Sequence, residues 1–351
     1  MIGLNDSHIR TIYVLHEFGS PSHLNALCYL AKKKHVNVHF CEFNLIEQLK
    51  RKPLPTRRFF YNIFVLLFLI FAPTKKIIIG IAPVNHALKL LLNLYGRHEL
   101  YYHTSYTFWD FKTLVHKPKN DDDIATWTHF INYAVKRIFA VSEKTKKELC
   151  ANFQICPSKI SIVNHAYQQK IQISSSIPER NTYICVGELS YRKGVNELLD
   201  IFSTHPELSL TLIGKGDLQK KVEDFSQRFE NIHYKGYISN WNDLEINYKE
   251  NLFLILNSHR TSQWEELFGM VLIEGMACGC IPLATNHSGP QEIITDCLNG
   301  FLYEEGEIEK VIEKTKKMEQ EDVISMRECA VKRGMQYSVQ NISLLWEPIF
   351  K

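Results

Sequence analysis

Apolar and polar positions fall into two blocks along this chain, each a succession of short extended runs separated by helix-period segments. In the first block, Thr11–His16, Val36–Phe40, Ile77–Ile81, Leu100–His103, Arg137–Val141 and Ile160–Val163 are apolar, β-branched or aromatic runs that read as strands. Helical patterns lie between them, clearest at His23–Lys33 and Thr145–Phe153. Residues 168–180 are polar, with three serines and Pro178, and read as a linker. The second block offers strands at Thr182–Val186, Leu208–Ile213, Ile232–Tyr234, Leu252–Leu256 and Ile281–Ala284, and turns helical from Glu307. Strand–helix alternation predicts parallel, doubly wound sheets. The expected class is α/β, with two Rossmann-like domains over 1–167 and 181–337. Two such sheets place a cleft at the carboxyl ends of their strands, where ligands usually bind.

Length and composition fit this reading. A chain of 351 residues with 45% apolar content can fill two cores. The net charge is only +3, but it is uneven. Residues 1–165 carry 22 Lys and Arg against 11 Asp and Glu, whereas 166–351 carry 19 against 27. A basic first half predicts approach to an anionic surface. Nine cysteines are scattered without metal spacing, and Cys278-Gly-Cys280 lacks a second pair. An odd cysteine count without a secretory signal pattern predicts reduced thiols and a cytoplasmic protein. No metal is expected, and Asp121-Asp-Asp123 reads as a solvated loop. Nucleic acid is not an expected partner.

The apolar run Phe59–Pro73 is about 15 residues, short of the roughly 20 that a spanning helix needs. Lys50, Arg51, Lys52, Arg57 and Arg58 precede it. One reading is a helix buried on all sides. The other, which the charge asymmetry favours, is peripheral contact of Lys50–Ala72 with the anionic inner face of the cell membrane.

The chemistry concentrates in Glu266-Leu-Phe-Gly-Met-Val-Leu-Ile-Glu274. If Phe268-Gly269 opens a helix at Met270, its free N–H groups and positive dipole end form an anion site. Glu266 then stands just before the helix and Glu274 about one and a half turns inside. Carboxylates bind diol hydroxyls well, because each oxygen accepts charge-strengthened hydrogen bonds. A sugar joined to a nucleoside diphosphate offers phosphates between two sets of hydroxyls.

With Phe268-Gly269 inside that spacing, and Ala277-x-Gly279-x-x-Pro282 and Gly289-x-x-Glu292 after it, the chain resembles retaining nucleotide-sugar glycosyltransferases of family 4. These have the GT-B fold, and the resemblance is to the bacterial cell-envelope polysaccharide type. It covers nearly the whole chain and is strongest over Thr182–Leu302. It implies that Glu266 binds the donor sugar and Glu274 the ribose, with Phe268, Gly269 and Met270 at the helix tip. In Val186-Gly-Glu188-Leu-Ser-Tyr-Arg192-Lys193-Gly194, Lys193 matches the lysine that clamps the diphosphate. The usual arginine is Glu188 here, a departure for which Arg192 is the available substitute. Gly19 matches one glycine of a phosphate-facing loop, although an ordinary turn glycine fits it nearly as well. His103 matches a histidine beside the reacting sugar, where it can exchange a proton. Tyr237 and Ile238 follow a pattern whose backbone holds the base. Residues from about Ser338 to Lys351 are implied to cross back to the first domain.

The implied activity moves a sugar from a nucleoside-diphosphate donor, UDP- or GDP-linked, onto a hydroxyl of a lipid-linked or growing envelope glycan such as O-antigen, capsule or lipopolysaccharide. No cofactor or metal is required. The leaving phosphate helps deprotonate the acceptor, so no protein nucleophile is named. Two alternatives stay open. One is a nucleotide-sugar epimerase or hydrolase of the same fold. The other is a non-catalytic, membrane-associated scaffold with a decayed site, which Glu188 favours.

Overall fold

A computed structural model describes residues 11–17, 22–50, 57–106, 108–110, 121–173, 176–261 and 264–351. The chain divides into two compact units, 1–165 together with 339–351, and 166–338. The polar stretch 168–180 lies inside the bounds of the second unit.

The first unit holds β1 (Thr11–His16), β2 (Asn37–Glu42), β3 (Lys76–Gly80), β4 (Glu99–Thr104), β5 (Val135–Ala140) and β6 (Ile160–Ile162). They form one parallel sheet in the order β2-β1-β3-β4-β5-β6. Its inner strands are apolar on both faces because helices cover both. Among these helices are α1 (Asn25–Lys33), α2 (Leu45–Lys50), α3 (Arg57–Phe71) and α4 (Ala87–Tyr95). Tyr102, Trp109, Trp127 and Phe130 meet edge-on or tilted in the core between strand and helix. The last residues join this unit by burying Trp346 against Phe139, ring centroids 4.5 Å apart. Lys34 pairs with Glu347 at 3.0 Å and reinforces that seat.

One expectation changes here, and one of the two readings of the apolar run falls away. The acidic run at Asp121 is no loop. It supplies the first turn of the helix Asp121–His129, where negative charge suits the helix dipole, and Asp122 pairs with Lys89 at 2.6 Å. The apolar run does form a helix, α3, but that helix is not buried on all sides. Phe60, Phe64 and Phe71 are exposed.

The second unit holds β7 (Thr182–Glu188), β8 (Ser209–Lys215), β9 (Ile232–Tyr234), β10 (Phe253–Leu256), β11 (Ile281–Thr285) and β12 (Phe301–Tyr303). The order is β12-β11-β10-β7-β8-β9, again all parallel. The sequence pattern does not reveal β12, whose three residues are too few to show a period. The strand order reverses between β7 and β10, and open α/β sheets bind ligands outside the carboxyl ends at such a switch.

Candidate functional site

The loop after β7 begins the site. Glu188 ends the strand, a short 3-10 turn spans Tyr191–Lys193, and Gly194 leads into the helix Val195–Thr204. Gly194 has φ +64°, and a Cβ there would lie 2.2 Å from the carbonyl oxygen of Asn257. Only glycine lets this loop lie directly against the end of β10. The contact carries Lys193 across the switch point. Its ammonium bonds Glu266, and both side chains are mostly buried. Ser258, just past β10, donates its hydroxyl to the same Glu266 oxygen at 3.0 Å. The Trp264 ring lies under two cations, with the Arg192 guanidinium carbon 4.3 Å and the Lys193 ammonium 4.9 Å from its centroid.

Glu266 is also fixed through its backbone. Its N–H donates to Nδ1 of the fully buried His287 at 3.0 Å, and its carbonyl accepts from the N–H of Gly289 at 3.0 Å. The second contact needs a bare Cα, since a Cβ on Gly289 would sit 2.4 Å from the nitrogen of Phe268. His287 Nε2 lies 2.9 Å from Glu305. An Nδ1 that accepts leaves Nε2 to carry the proton, so the network assigns the neutral Nε2–H tautomer. Burial lowers the His287 pKa, against the partial opposition of Glu305, in keeping with that tautomer. His287 is thus a positioning residue for Glu266. Ser258, Trp264 and His287 are the three members that sequence reasoning missed.

Gly269, in left-handed backbone, caps the helix Met270–Cys278. Glu274 is its fifth residue, just over one turn in. Burial pushes its carboxyl pKa up to about 7, while the Tyr248 hydroxyl, 3.4 Å away, opposes the shift. Phe268 is buried edge-on to Tyr337, so its side chain packs rather than facing a ligand. Met270, the first helical residue, presents a backbone N–H with no intrahelical partner. Glu188 pairs with Arg192 at 2.6 Å, both half-exposed, so the departure residue holds the substitute cation beside Lys193. Tyr237 is exposed beyond β9, with Lys215 over its ring at 4.6 Å, and Ile238 follows it half-buried.

The two remaining expected residues belong to the first unit. Gly19 lies outside the described residues. His103 is buried near the end of β4, its ring 5.7 Å from Trp346 and 6.5 Å from His165. Burial, and then His165, His23 and His16, hold its pKa well below the ordinary histidine range. The expectation of a proton exchanger near neutral pH narrows to a neutral imidazole that can give or take a hydrogen bond. Among the described residues no group of three or more His, Cys, Asp or Glu could hold a metal ion.

Comparison with known proteins adds to this geometry. Residues 167–336 match the family described as Glycosyl transferases group 1. An uncharacterized glycosyltransferase of Methanocaldococcus jannaschii is 29% identical over 191 residues, 53% of this chain and 51% of that protein. The lipopolysaccharide 1,6-galactosyltransferase of Salmonella typhimurium is 30% identical over 54% of this chain and 56% of its own length. These matches span about half the length of the curated relatives. In structure, Anabaena HepE in complex with UDP superposes with a TM-score of 0.70 at 15% identity, covering 97% of this chain and 99% of HepE. That likeness shows the fold, which is GT-B, and over residues 167–336 the chain is similar to the glycosyl transferases group 1.

Proposed function

We propose that the protein is a retaining glycosyltransferase of family 4 type. Its second unit binds a nucleoside-diphosphate sugar, and it transfers the sugar to a hydroxyl of a lipid-linked or growing envelope glycan. The observation that carries this reading is the pairing of Lys193 with Glu266 across the β7–β10 switch, beside the open amino end of the helix Met270–Cys278. An arriving diphosphate would draw Lys193 to itself and free the Glu266 carboxylate for sugar hydroxyls. The bond from anomeric carbon to diphosphate breaks as the acceptor oxygen bonds on the same face, and the acceptor proton passes to the departing phosphate. Lys193, Arg192 and the helix N–H groups meet the growing negative charge, so the reading invokes no metal. The Ser190 hydroxyl supports it too. It is buried, has no hydrogen-bond partner among the described residues, and stands three positions before Lys193. A phosphate oxygen would supply the missing acceptor.

Under this reading Tyr237 and Ile238 border the base and Glu274 takes the ribose, while Gly19 and His103 keep the donor-side roles that the family resemblance implies. The exposed aromatics of α3 and the basic start of the chain support docking on the anionic inner face of the membrane. HepE is solved with UDP and with UDP-glucose, which makes uridine nucleotides the first to try. The test is a thermal-shift screen against uridine, guanosine and adenosine diphosphates and their sugars, since a ligand stabilises by mass action. Absence of a shift with every nucleotide contradicts the proposal.

Glu274 gives the reading a pH signature. Its carboxyl, near 7, must ionise to accept both ribose hydroxyls. Nucleotide affinity is expected to rise severalfold between pH 6 and pH 8, and to stay flat in Glu274→Gln. A flat wild-type profile by calorimetry removes the ribose role.

A further inference from the structure

The core of the first unit uses only one face of α3. Asn62, Val65 and Leu69 point inward and are buried. Asn62 fixes that orientation. Its amide donates to Gln48 Oε1 at 2.8 Å, and its oxygen accepts the Glu42 N–H at 3.4 Å. At the other end Arg97 donates to the Leu69 carbonyl at 3.0 Å, and His98 Nε2 lies 2.8 Å from the same oxygen. With polar clamps at both ends the helix cannot roll its outer face inward. That face carries Phe60, Phe64, Leu67 and Phe71, exposed by 69%, 66%, 53% and 83%. Three- and four-residue spacing makes them one continuous stripe.

A groove runs alongside. It encloses about 430 Å³ between α3 and α4 and is lined by Ile63, Leu66 and Ile70 on one side and Ala87, Leu91 and Leu94 on the other. Exposed Leu67 and Leu90 also line it, so it opens toward the stripe. Leu67 borders a second apolar hollow as well, of about 420 Å³, beside Phe64, Phe68 and Phe71. The groove has the size of a small-molecule site, roughly 300–1,000 Å³. Among the described residues no charged side chain lines it, and its polar lining is limited to Asn44, Asn85 and Tyr95.

We propose that the α3–α4 groove takes one hydrocarbon chain of a membrane phospholipid while the stripe rests at the headgroup–acyl boundary of an anionic bilayer. This rests on the membrane part of the reading above and adds a chain-binding site to it. Charge complementarity selects the occupant. Arg57 and Arg58 open α3 and are exposed, within a first half that carries 22 cations against 11 anions. Cations near an anionic leaflet attract it, and Phe and Leu on the apolar face of a surface helix bury into the headgroup–acyl boundary. A groove lined mainly by Leu and Ile side chains matches a lipid tail. Among the described residues no helix is long and apolar enough to cross a membrane, which leaves α3 to lie along the surface.

The test uses the full chain and two probes, vesicles of phosphatidylglycerol and phosphatidylcholine, and a fluorescent fatty acid below its micellar concentration. Wild type is expected to bind mixed vesicles at least tenfold better than pure phosphatidylcholine, to weaken at high salt, and to take up about one fatty acid per chain. Replacing Phe60, Phe64 and Phe71 by Ser should cut vesicle binding tenfold and spare fatty-acid uptake. Filling the groove, by Ala87→Phe or separately by Leu94→Trp, should cut uptake tenfold and weaken vesicle binding less. The UDP thermal shift, measured on the same samples, is expected to survive in all variants. Its absence speaks against the transferase reading and leaves the lipid result standing. Equal fatty-acid uptake by wild type and both filled variants overturns the groove. A wild type that ignores vesicles, yet dimerises through the stripe and turns monomeric in the serine variant, overturns the lipid and makes a second copy the occupant.

Discussion

Glu266→Gln is expected to lower sugar transfer by about 10²–10³-fold while the protein still folds. Gln keeps the shape and can still accept from Ser258 and hang from His287. It loses the charge that strengthens hydrogen bonds to donor hydroxyls as the reaction proceeds. The resting protein also loses its ion pair with Lys193. That pair is partly screened, so the stability cost is about 1–2 kcal/mol. Steady-state kinetics with thermal unfolding separates the two effects. Turnover within about threefold of wild type in the folded variant would sink the assignment of Glu266.

Lys193→Ala should be harmful in two separable ways. Without donor, it leaves a mostly buried Glu266 carboxylate with Ser258 as its remaining side-chain donor. An uncompensated charge in a partly exposed place costs about 1–3 kcal/mol. With donor, it removes the cation nearest the departing diphosphate and should lower turnover about 10²-fold while base recognition persists. Adding Glu266→Gln should recover much of the stability loss, because the orphaned charge is gone. A double-mutant cycle in unfolding free energy measures this coupling. If the single variant is as stable and active as its parent, Arg192 over Trp264 is the working cation.

The fold was largely legible because its strands are buried on both faces. Runs such as Ile77–Ile81 and Leu252–Leu256 have no polar side, which marks an inner parallel strand. Strand β12 was not legible, since Phe301–Tyr303 is short and takes its identity from lying beside β11. At the site, Glu266, Lys193 and Gly269 were found through the motif that contains them. His287 escaped because its importance lies in a backbone N–H twenty-one positions away, which no local pattern records. Ser258 and Trp264 escaped for the same reason, since a serine after a strand and a tryptophan in a loop carry no period. The meaning of Glu188 also needed three dimensions. Its i,i+4 partner Arg192 was visible in the sequence, but the aromatic ring beneath that partner was not.

The imidazoles packed around His103 have a consequence for the working range of the protein. Burial depresses His16, held at about 4, His165, at about 3, and His103, while the more exposed His23 is lowered in the same direction. Unfolded chains protonate these groups near 6.5. Acid therefore favours the unfolded first unit, and the stability present above about pH 6.5 drains away as pH falls toward 4. Trp346, tilted beside His103, and the buried Trp109 and Trp127 all lie in the first unit, and they report on it alone once Trp241 and Trp264 are replaced by Phe. The fluorescence of that variant should show urea midpoints that fall steadily from pH 7 to pH 5, and an unchanged midpoint across that interval contradicts the account. The first unit is then expected to lose stability in acid, because one cluster gathers several imidazoles that the unfolded chain would protonate.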